Sequence, residues 1–257
     1  MSHTAANGLR IAVITGGGSG IGRAIVEAFA EAGYTTLIAD VIEKDSRELE
    51  SLLTGQLLDA RYLPLDVADA ASIAQFFGTV ERDYGRCDVL VNNAGIAKTV
   101  AYLDYPPDHW EKVMRVNVTG PFLMSQYAGR LMQKQKSGRI INIASVSGER
   151  ASWGRAAYGT SKAAIFGLTR QMALELAEFG ITANGIAPGP IDTPLTRALH
   201  TQAARDEFTG AVPMRRYGTP KEIADVSLFL ASEAASYING HVIPVDGGFL
   251  AAGITGH

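Results

Sequence analysis

"TGGGSGIG", Thr15–Gly22, follows the apolar run "RIAVI" at 10–14 and leads into "RAIVEAFAEAG" at 23–33. A β-prone run, a glycine-rich turn and an apolar-periodic stretch in that order read as strand, turn and helix. The glycines that matter are Gly16, Gly20 and Gly22, spaced G-x-x-x-G-x-G rather than G-x-G-x-x-G. So tight a turn needs residues without Cβ, and it points backbone N–H groups and the helix dipole at an anion such as a pyrophosphate. Gly16, Ser19, Gly20, Ile21 and Gly22 are the expected phosphate-side residues of a dinucleotide site.

The same alternation continues along the chain. Strands are expected at 10–15, 35–40, 60–65, 89–92, 139–144, 181–186 and 241–244. Helices are expected at 20–32, 46–53, 70–84, 107–133, 157–178 and 220–230. Most of the strand runs are continuously apolar, as in a parallel sheet covered on both faces. The pattern predicts an α/β fold, a Rossmann-like doubly wound parallel sheet with helices on both faces. No linker, repeat or low-complexity tract divides it, so 1–257 reads as one domain. The segment 189–213, with Pro190, Pro194 and Pro213, breaks the rhythm after a strand and is expected to form a substrate lid.

The second strand, "TTLIAD", ends at Asp40, twenty residues after Gly20. A carboxylate there accepts hydrogen bonds from the adenosine ribose. A 2′-phosphate in the same place would put like charges about 4 Å apart, costing about 4 kcal/mol at a surface-like dielectric. With Ser19 and Val41 nearby and no Arg or Lys, NAD is expected over NADP.

Net charge is −3 with scattered basic residues, which argues against nucleic acid or an anionic membrane as partner. Cys87 is the only cysteine, so no intrachain disulfide forms. No apolar run reaches bilayer length, and "MSHTAANGLR" lacks the features of a signal peptide. A soluble, cytoplasmic protein is expected. The five histidines lack ligand spacing, so no metal is expected.

Two near-identical words occur, "YGTSK" at Tyr158–Lys162 and "YGTPK" at Tyr217–Lys221. The first runs on into a strong helix, which puts Tyr158 and Lys162 on one face. In the second, Pro220 suits the first position of a new helix, with Thr219 as N-cap and Glu222 at the capping-box position. Tyr217 is then left in the preceding loop.

Taken with "LDV" at 65–67, "NNAG" at 92–95, "VN" at 116–117, Ser145, "PGPIDT" at 188–193 and "VDGG" at 245–248, the chain resembles the short-chain dehydrogenase/reductase family over nearly its whole length. The resemblance implies seven parallel strands with a nicotinamide cofactor across their C-terminal ends. It places Asp66 and Val67 at the adenine, and Asn93, Ala94 and Gly95 beside the cofactor. Pro188, Ile191 and Thr193 fall at the nicotinamide, and Asn92 in a strand-tying role. It implies Asn117, Ser145, Tyr158 and Lys162 as the catalytic set, with Tyr158 and Lys162 also touching the cofactor and Asn117 holding a water. It also implies a homo-oligomer, a tetramer or sometimes a dimer, through the two long helices.

Hydride exchange with an alcohol needs a group to move the hydroxyl proton, and Tyr158 is the expected base. Working near neutrality asks for a shift of about 3 units from the free tyrosine value, roughly 4 kcal/mol. A lysine charge one turn away is of the right size to supply it. The loop "VSGERASWGRAA", 146–157, should wall the substrate pocket. Ser145, Glu149, Arg150, Ser152 and Trp153 line it in this reading, with Arg197 from the lid and Arg155 at the surface or a subunit contact. The polar loop favours a small-molecule substrate such as a sugar, polyol or anionic hydroxy compound, with Arg150 and Arg197 able to bind an anion. The alternatives are a 3-oxoacyl-thioester reductase of the acyl-carrier-protein type and a non-catalytic NAD-sensing protein.

Overall fold

The computed structural model describes residues 8–253. The reading of the first ten residues as no targeting segment rests mainly on 1–7, outside the described residues. Seven strands form one sheet: β1 (Ile11–Thr15), β2 (Thr35–Asp40), β3 (Ala60–Pro64), β4 (Val89–Asn92), β5 (Gly138–Ile143), β6 (Ile181–Pro188) and β7 (Val242–Val245). Their order is β3-β2-β1-β4-β5-β6-β7, and every pairing is parallel. Strands β1, β2, β4 and β5 are buried at every residue, which is why their sequences show no regular alternation of apolar and polar residues. The edge strand β3 alternates instead and ends at Pro64.

Helices α1 (Gly20–Glu31), α2 (Glu43–Gly55), α3 (Ala70–Asp83), α4 (Pro107–Met114), α5 (Gly120–Gln135), α6 (Ala156–Leu176), α7 (Pro194–Leu199), α8 (Gln202–Ala211) and α9 (Pro220–Ala231) surround the sheet. One apolar layer packs Phe76, Phe77, Met124 and Met172 of α3, α5 and α6 against one face. The other packs Ile25, Phe29, Leu49 and Ile223 of α1, α2 and α9 against the opposite face. Among the described residues, no helix is long and apolar enough to cross a membrane.

Two helices differ from expectation. α2 starts three residues earlier, at Glu43, because Glu43 and Asp45 suit a helix N-terminus. The stretch 107–133 is not one helix: a π-helical segment, Arg115–Thr119, separates α4 from α5. α9 begins as its sequence suggests, with Pro220 in the first turn and a capping box between Thr219 and Glu222.

The switch point between β1 and β4 fixes where a cavity opens. There Gly16 adopts φ +63°, and a Cβ on it would lie 3.0 Å from the Ala94 Cα. A Cβ on Gly22 would run into the Gly16 carbonyl oxygen and lie 2.6 Å from Asn93 Nδ2. Gly22→Ala should therefore cost roughly 1–3 kcal/mol or more, seen as a melting temperature lower by about 3–10 °C. An unchanged melting temperature would show that the turn can open without loss.

Candidate active site

At the C-terminal ends of the strands lies a cavity of about 570 Å³, within the range of small-molecule sites. Its floor is the glycine turn. The Thr15 hydroxyl accepts the N–H of Asn93 (2.9 Å) and of Ala94 (3.0 Å), and Asn93 Nδ2 donates to the carbonyls of Thr15 (2.9 Å) and Gly16 (3.1 Å). The loop after β4 is thus bolted to the loop after β1. Gly16, Ser19, Gly20 and Ile21 line the cavity, whereas Gly22 packs beneath it. Ser19 makes no side-chain cap on α1, and Gly20 at φ +54° keeps the entrance open. This helix start fits a phosphate group without rearrangement.

Asp40 lines the wall at the end of β2. Its Oδ2 accepts the Gly18 N–H at 2.9 Å, and its Oδ1 accepts the Ile42 N–H at 3.0 Å. The carboxylate is fixed in place, and no Lys or Arg pairs with it among the described residues. Asp66, Val67, Asn93, Ala94 and Gly95 continue the lining, and Pro188, Ile191 and Thr193 close the far side. Thr193 also caps α7 in a reciprocal arrangement with Thr196.

Ser145, Tyr158 and Lys162 face the same cavity. Ser145 follows β5 and caps a short turn, accepting the Ser147 N–H at 3.1 Å. Tyr158 and Lys162 stand one turn apart on α6, as their spacing predicts. The Lys162 ammonium donates to the Ile143 carbonyl at 2.7 Å and lies 5.7 Å from the centre of the Tyr158 ring. Burial holds Lys162 down, at about 8. Burial also raises Tyr158, opposed by contact with the Ser145 hydroxyl and by the charge of Arg155. The expected downward shift is therefore absent in the protein alone, because desolvation outweighs these charges.

Asn117 sits on the π-helical segment and is almost fully buried, behind the cavity rather than on its lining. Its Oδ1 accepts the Ile96 N–H at 2.9 Å, and its Nδ2 donates to the Ile96 carbonyl and to Ser161 Oγ, both at 3.0 Å. Ser161 in turn donates to the Tyr158 carbonyl at 2.7 Å. Asn92 donates to Asn142 Oδ1 across β4 and β5 at 2.9 Å.

The substrate-side expectations fare differently. Of those residues, Ser145 alone lines the cavity. Glu149, Arg150, Ser152 and Trp153 are exposed, and the Arg150 guanidinium lies over the Phe249 ring, 5.1 Å from its centre. Arg197 is exposed, paired with Asp192 at 2.9 Å, and does not line the cavity. Arg155, expected at the surface, is half-buried with its guanidinium over the Tyr158 ring, 5.6 Å from the centre. Thr15, Lys112 and Ser161 are not among the residues the sequence leads one to expect at the site. Ser161 lies within "YGTSK" itself, while nothing local marks Thr15 or Lys112.

A family model described as enoyl-(acyl carrier protein) reductase matches residues 16–250. The 3-oxoacyl-[acyl-carrier-protein] reductase FabG of Thermotoga maritima is 38% identical over 241 residues, covering 94% of this chain and 98% of its own. The 3-oxoacyl-[acyl-carrier-protein] reductase MabA of Mycobacterium bovis is 40% identical over 242 residues, covering 93% and 92%. Among solved structures, a gluconate 5-dehydrogenase from Burkholderia cenocepacia in complex with NADP and tartrate superimposes with TM-score 0.91. It is 37% identical, with 95% of this chain and 96% of that one covered.

The buried ammonium has a consequence for stability. Lys162 in the folded protein titrates below the ordinary lysine value, so between about pH 8 and 10.4 the unfolded chain holds more protons at this site. Its burial penalty is complete below that window and is relieved as pH rises through it. Relative to Lys162→Met, the wild type should gain about 3 kcal/mol between pH 7.5 and pH 10.5. Denaturant melts at both pH values check this; a constant difference would mean that the ammonium is not desolvated.

Proposed function

The chain belongs to the short-chain dehydrogenase/reductase family, and on that premise we propose that it exchanges a hydride between NAD(H) and a secondary alcohol or its ketone. The observation that carries this reading is the single cavity shared by the glycine cradle and by Ser145, Tyr158 and Lys162. A bound nicotinamide would supply the hydride acceptor or donor and, when oxidised, a positive charge. Gly16, Ser19, Gly20 and Ile21 would hold its pyrophosphate, and Asp66 with Val67 its adenine. Asn93, Ala94 and Gly95, with Pro188, Ile191 and Thr193, would flank it.

In this reading Ser145 orients the substrate oxygen and Tyr158 takes its proton on oxidation or returns it on reduction. Lys162 keeps a positive charge behind the cofactor site, and Asn117 positions Tyr158 through Ser161. The lid is the segment 189–213, built from α7 and α8, whose Pro194, Leu195 and Thr196 reach the cavity. Exposed Phe122 and Leu174, on α5 and α6, support self-association through those helices into a homotetramer or dimer. The presence of the whole catalytic set speaks against a sensor without turnover.

Asp40 is the basis for NAD over NADP, since a 2′-phosphate would approach a carboxylate with no cation to offset it. A polar sugar, polyol or hydroxy acid is the substrate class of this reading, in line with the gluconate 5-dehydrogenase among the similar structures. The rival reading, a 3-oxoacyl-thioester reductase, is favoured by the FabG and MabA relatives. Nicotinamide turnover on polyols, hydroxy acids and 3-hydroxyacyl thioesters, with both dinucleotides, separates the two.

Two substitutions test the roles. Tyr158→Phe should lower kcat about a thousandfold, while Tyr217→Phe keeps it within about tenfold; full activity of Tyr158→Phe would remove the assigned base. The wild type should favour NAD over NADP by about a hundredfold or more. Asp40→Asn should erase most of that preference and cost about 1–3 kcal/mol, because one of the two N–H groups now bonded to the carboxylate loses its acceptor. A wild-type preference for NADP contradicts the cofactor reading.

A further inference from the structure

Beside the Tyr158 ring, behind the residues that line the cavity, lies a group of residues to which the catalytic reading gives no part. Arg155 carries a half-buried guanidinium over the Tyr158 ring, and no carboxylate pairs with it among the described residues. Of the neighbouring acids, Asp192 is already occupied by Arg197 (2.9 Å) and Arg205 (3.2 Å). A guanidinium partly removed from water without a counter-charge is unfavourable, and an anionic ligand relieves it.

The arginine is held in place by neutral partners. His200, at the end of α7, meets Arg155 Nη2 at 3.5 Å through Nε2 and the Tyr217 hydroxyl at 2.9 Å through Nδ1. Its ring stacks on Phe208 at 4.9 Å. Burial and the charges of Arg155 and Arg205 hold His200 below its ordinary value, so it stays neutral and accepts at Nε2. It steadies the guanidinium without cancelling its charge.

A second polar group nearby is also unspent. The Tyr105 hydroxyl is buried and has no hydrogen-bond partner among the described residues. Its segment is tied to that of Arg155 by the Val100 N–H, which donates to the Gly154 carbonyl at 3.0 Å. Burial raises the Tyr105 phenol, and the Arg155 charge opposes that rise. A guanidinium fork and a phenol are a matched donor set for the two oxygens of a carboxylate.

We propose that Arg155, assisted by Tyr105, forms a carboxylate-binding subsite beside Tyr158, so that the preferred substrate is a hydroxy carboxylate rather than a neutral alcohol. This rests on the dehydrogenase reading above.

The test compares a hydroxy carboxylate, 3-hydroxybutyrate or glycerate, with its primary amide in the same protein. General damage to the site then cancels in the ratio of the two kcat/KM values. The wild type should prefer the acid. Arg155→Gln should lower the acid-to-amide ratio at least about thirtyfold, Arg155→Lys should restore part of it, and Tyr105→Phe should lower it about fivefold. An unchanged ratio in Arg155→Gln, with acid and amide slowed alike, would mean that Arg155 serves only the electrostatics of Tyr158 and would overturn the subsite. A wild type that prefers the amide overturns it as well. If no alcohol is oxidised with either dinucleotide, the dehydrogenase reading itself falls. The subsite is then judged by calorimetric binding of 3-hydroxybutyrate to the NADH-saturated protein, where wild-type binding that Arg155→Gln abolishes supports it and binding unaffected by the substitution overturns it.

Discussion

The approach of backbone to backbone at the end of β1 sets the terms for the rest of the molecule. Gly22 lies so close to the Gly16 carbonyl that no side chain fits between them, and Asn93 fills the remaining space with two donated hydrogen bonds. The Thr15 hydroxyl completes the clasp by accepting from Asn93 and Ala94. These bonds join loops almost eighty residues apart in sequence, at the point where the strand order reverses. Half-buried and mutually satisfied, they fix the cavity floor before any ligand arrives.

A second polar network carries that order across to α6 and Tyr158. Asn92 reaches Ser125 and Asn142, and Asn142 reaches Thr169 on α6. Nearer the cavity, Asn117 grips both backbone groups of Ile96 and also Ser161, one residue before Lys162. The loop after β4 and the start of α6 around Ser161 are therefore positioned by one carboxamide. Each of these groups is buried, so losing a partner leaves a donor or acceptor unsatisfied at a cost of roughly 1–3 kcal/mol. Such a network ties the position of Tyr158 to that of the cavity floor.

How much of this could be read in advance depended on how local each cause is. The buried strands were legible because residues such as those of β1 and β4 have no solvent-facing side and so show no alternation. The start of α9 was legible because Thr219, Pro220 and Glu222 settle it within four residues. The break after Met114 was not, because it accompanies a contact from Asn117 to Ile96, twenty-one residues away. Arginines were the least legible of all. Arg197 and Arg155 are equivalent as letters, yet one is taken up by Asp192 five residues back while the other meets His200 forty-five residues on. For a long flexible cation, the tertiary partner decides whether its charge is spent.

The two matching words show the same principle from the other side. Replacing serine by proline removes Tyr217 from any helix face shared with Lys221, whose ammonium goes to Asp225 at 2.7 Å instead. Tyr217 is nevertheless not idle. Its hydroxyl fixes His200, His200 contacts Arg155, and Arg155 covers the ring of Tyr158. The tyrosine of the second word thus braces the surroundings of the first, through a chain that runs from the start of α9 by way of the end of α7 to the start of α6. His200 lies between α7 and α8 and links that segment to Arg155. A shift of the segment that moves His200 therefore bears on the guanidinium that lies over the Tyr158 ring.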